Sequence, residues 1–257
     1  MKSLFLARKD ISSFFHSWMG VFVYALFIVM TGVFFFMLLS GYQRLSLEVV
    51  SGSVSEADHV SLTQFIFGSF FANLGTLFVL LVPILSMRAF SEEHKHQTLE
   101  LLFTYPLSDY DIVAGKFSGL VWFLFLLILP SAGYVGFLHW AGVSLDWGMI
   151  AAGYLGLLML GASYLALGLF ISALTDNTVV TAMGTFGCLA LLNSADWLGL
   201  TQEGRSAKLI QFCSPMSHFR DFTLGVIDLS HVFYFVLFCL YFLFLTLRVI
   251  ESRNWKG

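Results

Sequence analysis

Long apolar stretches alternate with short polar ones along nearly the whole chain. Apolar runs occupy residues 19–39, 65–87, 117–138, 148–174, 179–200 and 232–249. Each is close to or above the roughly 20 residues that a helix needs to cross a hydrocarbon layer about 30 Å thick. The first run carries no charge, and the fifth is interrupted near its far end by Asn193 and Asp196. A signal peptide is the rival reading of the first run. Its polar lead of 18 residues and the lack of a small-residue cleavage site after it favour a retained span. The expectation is an all-α membrane protein with six transmembrane helices in a single domain spanning residues 1–257.

The segments between the runs have their own patterns. In residues 1–18, Phe5, Phe14, Phe15 and Trp18 combine with Lys2, Arg8 and Lys9 as in an interfacial helix lying on the inner membrane surface. Residues 40–64 carry Glu48, Glu56 and Asp58. Residues 201–231 contain Leu209-Ile210 and the stretch Phe222 to Ile227, which suggests short re-entrant or interfacial helices. Thr175 to Thr178 reads as a short turn between helices. Gly148, Ala152 and Gly156 recur every four residues, and Gly115 with Gly119 repeats the spacing; such small-residue faces let helix backbones approach closely.

Composition agrees with lipid as the solvent. Of 257 residues, 58% are hydrophobic and 11% charged, less than half the charge of an ordinary soluble domain. The net charge of −3 and the absence of a Lys/Arg run argue against a nucleic-acid partner. Cys188, Cys213 and Cys239 are too few and too widely spaced for a disulfide framework or a metal pair, and read as small apolar side chains. Orientation follows from the basic residues. Lys2, Arg8, Lys9, Arg88, Lys95, Lys116, Arg248, Arg253 and Lys256 fall on one side, against Arg44, Arg205, Lys208 and Arg220 on the other. The bias places both termini in the cytoplasm.

The second inside loop, residues 88–116, holds the most informative stretch. A polar head, with Glu92 and Glu93 where a helix dipole favours negative charge, is followed by Leu99, Leu102 and Phe103 at helical spacing. Pro106 stops that helix, and Ser108 or Asp109 can cap the next. A short amphipathic helix is expected there, either lying on lipid or docking a soluble partner.

The run Arg88 to Pro106, with its Glu-Glu, Thr-Leu-Glu-Leu-Leu and closing Tyr-Pro, followed by Gly115-Lys116-Phe117, resembles the permease subunits of ABC-2-type transporters. The segment Ser214-Pro-Met-Ser-His-Phe-Arg-Asp-Phe-Thr-Leu-Gly-Val-Ile-Asp228, then Val232-Phe-Tyr-Phe, resembles the gliding-motility-associated permeases of that superfamily. Copper-processing permeases share the first motif. The resemblance implies a multi-pass transporter half in a bacterial cytoplasmic membrane, paired with a second copy or a related permease. It implies a cytoplasmic ATPase on each half, with ATP and Mg bound by that partner and no cofactor on this chain. An extracytoplasmic accessory protein and membrane lipid complete the expected partners. The 88–116 loop would hold the coupling helix, with Glu92, Glu93, Thr98, Leu99, Glu100 and Leu102 as the ATPase contact. A non-transporting scaffold is the alternative function.

The chain itself lacks a nucleotide-binding P-loop, because Phe117 follows Gly115-Lys116 and position 110 is Tyr. His94 and His96 lie two apart, on different faces of a helix, and read as solvated rather than as metal ligands. His218 with Ser214, Ser217 and Asp221 has no nucleophile motif and reads as capping and turn formation. No catalytic residue is expected. Asn73 and Asn193 are costly inside a membrane, and either line a cargo path or bond between helices.

Overall fold

The computed structural model describes residues 18–50, 63–91, 109–201 and 211–254. Among them are six helices long and apolar enough to cross a membrane. We number the helices α1 (Trp18–Val50), α2 (Gln64–Ser86), α3 (Asp109–Trp140), α4 (Trp147–Leu174), α5 (Thr178–Thr201), α6 (Pro215–Thr223) and α7 (Leu229–Asn254). All but α6 are candidate spans, and they run alternately up and down. One end of the bundle, called here the loop end, holds Ser91, Ser172 and Thr181 in mutual contact. The far end holds the contacts of Thr63 with Asp146 and of Asp196 with Arg220.

Local sequence explains where the helices begin and bend. The Asp146 carboxylate accepts from the amides of Gly148 and Met149 at 2.9 and 3.2 Å, which caps α4. Pro130 sits in a tight 3-10 turn, Leu129–Ser131, that joins the two halves of α3. A wide turn at Gln64–Gly68 opens α2. Pro215 occupies the first turn of α6, where its missing amide costs nothing.

The third helix starts at Asp109, where Ser108 or Asp109 was expected to cap it, and so begins ahead of the expected span limit at residue 117, with Asp109 and Asp111 in its first turn. Lys116, expected in the loop, is therefore inside a helix and buried. Helix α1 is 33 residues long, about 50 Å at 1.5 Å per residue, and runs well past the expected end at residue 39. Within 201–231 the described helix is α6, which buries Pro215, His218, Phe219, Phe222 and Thr223 against its neighbours.

Helices α2, α3 and α4 are the most enclosed, while α1, α5 and α7 turn most of their surface outward. The outward side chains are apolar, including Phe22, Phe36, Met183, Phe186, Leu237 and Phe244. The centre is aromatic: Phe67, Phe70, Phe71 and Phe78 of α2 are fully buried, and Phe35 stacks on Tyr134 with ring centroids 4.6 Å apart. Glycines of α4 make this packing possible. The space a side chain would need at Gly153 is taken by the Phe71 ring, and at Gly156 by Phe222 and Phe219. Gly148, expected on the same tight face, is exposed, and a Cβ there would meet only its own cap residue Asp146. The close-approach face is thus shifted to Gly153 and Gly156, next to Ala152.

This packing separates two Gly→Ala substitutions by sign. Gly153→Ala drives a methyl into the Phe71 ring and should cost about 1–3 kcal/mol. Gly187→Ala, on α5 with nothing within 4 Å, should add up to about 1 kcal/mol through helix propensity. Thermal unfolding in detergent, followed by fluorescence, compares the two.

Candidate functional site

The loop end is built around the point where the chain leaves α2. The Ser172 hydroxyl of α4 accepts from the successive amides of Phe90 and Ser91, at 3.0 and 3.2 Å. Ser91 Oγ lies 3.2 Å from Ser172 Oγ and 2.7 Å from Thr181 Oγ1 of α5. Thr181 in turn donates to the Asn177 carbonyl at 3.1 Å. One donor order satisfies every group: Ser172 donates to Ser91, Ser91 to Thr181, and Thr181 to the carbonyl. Ser91, Ser172 and Thr181 are all fully buried, so the relay is shielded from competing water.

Lys116 holds the same segment from α3. Its ammonium donates to the Ala89 carbonyl at 2.6 Å and sits 5.0 Å from the centre of the Phe90 ring. A buried lysine needs such partners, because an unpaired ammonium in an apolar interior is very costly. Residues 89–91 are therefore tied to α3, α4 and α5 together. Residues 92–108 depart from this clamp, and α3 receives the chain at Asp109. Glu92, Glu93, Thr98, Leu99, Glu100 and Leu102 all lie outside the described residues, as do His94, His96 and the 1–17 segment.

The far end holds the other polar residues. Asn193 donates to Tyr164 Oη and to the Leu189 carbonyl, both at 2.9 Å, which gives it a partner on α4 as well as one on its own helix. Asn73 is half-buried on α2, and the structure does not bring it into a described contact with Asn193. Asp196, near the far end of α5, is buried and pairs with Arg220 of α6 at 2.9 Å. Its second carboxylate oxygen is buried without a partner.

Helix α6 is fastened by histidines. His218 Nδ1 lies 2.6 Å from His231 Nδ1 of α7, and His231 Nε2 lies 2.7 Å from Asp221 Oδ2. His218 Nε2 faces the Phe212 carbonyl at 2.9 Å, and its ring stacks on Tyr234 at 3.9 Å between centroids. Tyr234 donates to the Cys213 carbonyl at 2.7 Å. Burial, above all, lowers the His218 pKa from its usual value, and the neighbouring His231 adds to the effect. The expected turn formation falls to Ser217, which donates to the carbonyls of Ser214 and Gln211 at 2.7 and 2.8 Å. Ser214 stands at the cap position, yet its hydroxyl is buried without a partner.

Sequence reasoning missed both the clamp and the histidine pair. Isolated Ser and Thr in apolar runs carry no signal, because they equally often bond to their own helix. Lys116 offered one, since seven residues of helical pattern precede it from Asp109 and an apolar run follows. His231 lies 13 residues from His218 and became visible only through packing.

No group of three or more His, Cys, Asp or Glu among the described residues is arranged to hold a metal. Six apolar spans and a polar clamp at the root of one inter-helix loop define a polytopic membrane protein. The family model of ABC-2 family transporter proteins matches residues 4–250, nearly the entire chain. The chain belongs to that family: it is a multi-pass transmembrane permease of the ABC transporter class. Among curated proteins no significant match is found.

The clamp makes Ser172 the residue to change. Ser172→Ala leaves two buried amides unpaired and should cost about 1–3 kcal/mol, whereas Ser194→Ala, an exposed hydroxyl bonded within its own helix, should cost almost nothing. Hydrogen exchange at Phe90 and Ser91 should accelerate in the first variant only.

Proposed function

We propose that this permease works as one membrane half of an ATP-driven transporter, exporting a cargo or transmitting mechanical work across the membrane. Hydrolysis takes place on a separate cytoplasmic ATPase, which binds ATP and Mg. Each of two permease halves receives one ATPase, and the second half is another copy or a related permease. The segment from Ser214 supports membership of the gliding-motility-associated group, and an extracytoplasmic accessory protein fits that setting. Its membrane is a bacterial inner membrane, and the excess of Lys and Arg on the side of the 88–116 loop supports a cytoplasmic location for that end.

The observation that supports this reading best is the clamp on residues 89–91. A soluble motor moves a membrane domain only through a contact that differs between two states of the pair. Such a contact is useless on a slack tether. Here the chain enters the 92–108 segment directly from a point bonded to α4 and α5, and leaves it into α3, whose Lys116 grips the same point. A displacement of the segment is delivered to three spans at once. Glu92, Glu93, Thr98, Leu99, Glu100 and Leu102 are the proposed ATPase contacts, presented as an amphipathic coupling helix.

Copurification from native membranes in mild detergent, with mass spectrometry of the bound chains, tests the assignment. A stoichiometric P-loop ATPase is expected, lost when Leu99 and Leu102 are both changed to Asp and kept in Asn193→Ala. Recovery of permease without any ATPase, under conditions that hold other transporters together, would replace the transporter reading with that of a membrane scaffold.

A further inference from the structure

The two histidines at the far end obey a count of protons. Three contacts run in a row: Phe212 carbonyl to His218 Nε2, His218 Nδ1 to His231 Nδ1, and His231 Nε2 to Asp221 Oδ2. Both ends of the row are acceptors, a carbonyl and a carboxylate. Each contact needs one hydrogen, so the four ring nitrogens must carry three hydrogens between them. Two neutral imidazoles carry only two, and two imidazolium rings carry four. Three hydrogens mean one neutral ring and one charged ring.

We propose that His218 and His231 form a single-proton site that fastens α6 to α7 while one extra proton is held, and releases it when a second proton binds. A fourth hydrogen would set two N–H groups against each other across 2.6 Å, which no arrangement of the rings tolerates. Removing the third leaves one of the three contacts without its hydrogen. The ligand of the site is the proton itself, and it has a route in. Asp221 is half-exposed and His231 partly so, while His218 is buried.

The surroundings choose which ring is charged. The Asp221 carboxylate lies 2.7 Å from His231 Nε2, so the charged ring of the pair sits next to it. Burial disfavours charge on His218, in keeping with its lowered pKa. From α7 the pair also meets Tyr234, stacked on His218, and just before that helix stands the carboxylate of Asp228, near His231. From α5 comes Asp196, already engaged by Arg220 of α6. Helix α4 contributes Tyr164, near Tyr234, and α2 has no titratable side chain between Gln64 and Ser86. The low His218 pKa also fixes the direction of the stability change. The folded state resists a proton that the unfolded chain accepts near pH 6.5, so this stabilisation is complete above that pH and is lost as pH falls below it. With the orientation proposed above, the sensed pH is that outside the cytoplasm.

Nitrogen-15 NMR of histidine-labelled protein in detergent decides the matter on the wild type. Two of the seven histidines should appear as one imidazolium and one neutral ring protonated at Nε2, with no change between about pH 6 and pH 7. An independent histidine passes its midpoint near 6.5 in that window. His218→Gln and His231→Gln assign the signals, and Asp221→Asn should move the upper step of the pair down by about one unit. Two histidines titrating separately near pH 6.5, or both neutral at pH 7, would overturn the proposal. Neither result bears on whether the chain binds an ATPase.

Discussion

Where the chain leaves α2, one hydroxyl, Ser172, takes two successive backbone amides in a place that water does not reach. Those amides belong to Phe90 and Ser91, beyond the end of the helix at Ser86, where the chain has turned away and the regular amide-to-carbonyl ladder has stopped. In a soluble protein, solvent would serve. Next to hydrocarbon an unpaired amide costs several kcal/mol, so the end of a span must be closed by protein groups. The Ser91–Thr181 bond and the Lys116 contact with Ala89 extend that closure to α5 and α3. A requirement of backbone chemistry thereby becomes a mechanical joint between four helices.

The rest of the bundle is closely packed around α2, α4 and α6. Large rings on α2 and α6 fill the recesses left by Gly153, Gly156 and Gly75, bringing α2, α4 and α6 into direct contact. Packing of this kind replaces the hydrophobic effect, which has little to offer between helices already surrounded by lipid. The helices outside that centre, α1, α5 and α7, show apolar side chains to their surroundings and are free to face lipid or a second permease.

The far end solves the same polar problem with charges. Asp196 reaches Arg220, and His231 reaches Asp221, so α6 is held to α5 and α7 by partners whose strength depends on their protonation or hydration. Asn193 and Tyr164 close the gap between α4 and α5 just below. The loop end is bound by hydroxyls, backbone amides and one lysine, whereas the far end is bound by carboxylates, an arginine and two histidines. The two ends of the bundle therefore differ in what could loosen them.

The number of spans, their approximate limits, the membrane environment and the family resemblance were all legible from the residues. Hydropathy over about 20 positions is a local property that lipid enforces regardless of packing. The start of α3 at Asp109 was legible too, since Pro106 ends the preceding segment and Ser108 or Asp109 can cap the next helix. What tertiary structure alone decided was pairing. Ser91 and Ser172 are 81 residues apart, Ser91 and Thr181 are 90, and nothing in an apolar run marks which hydroxyl will meet which. The same holds for Gly153 over Gly148 as the point of close approach, and for His231 as the partner of His218. A sequence states which groups need partners inside a membrane; the crossing of helices determines who the partners are.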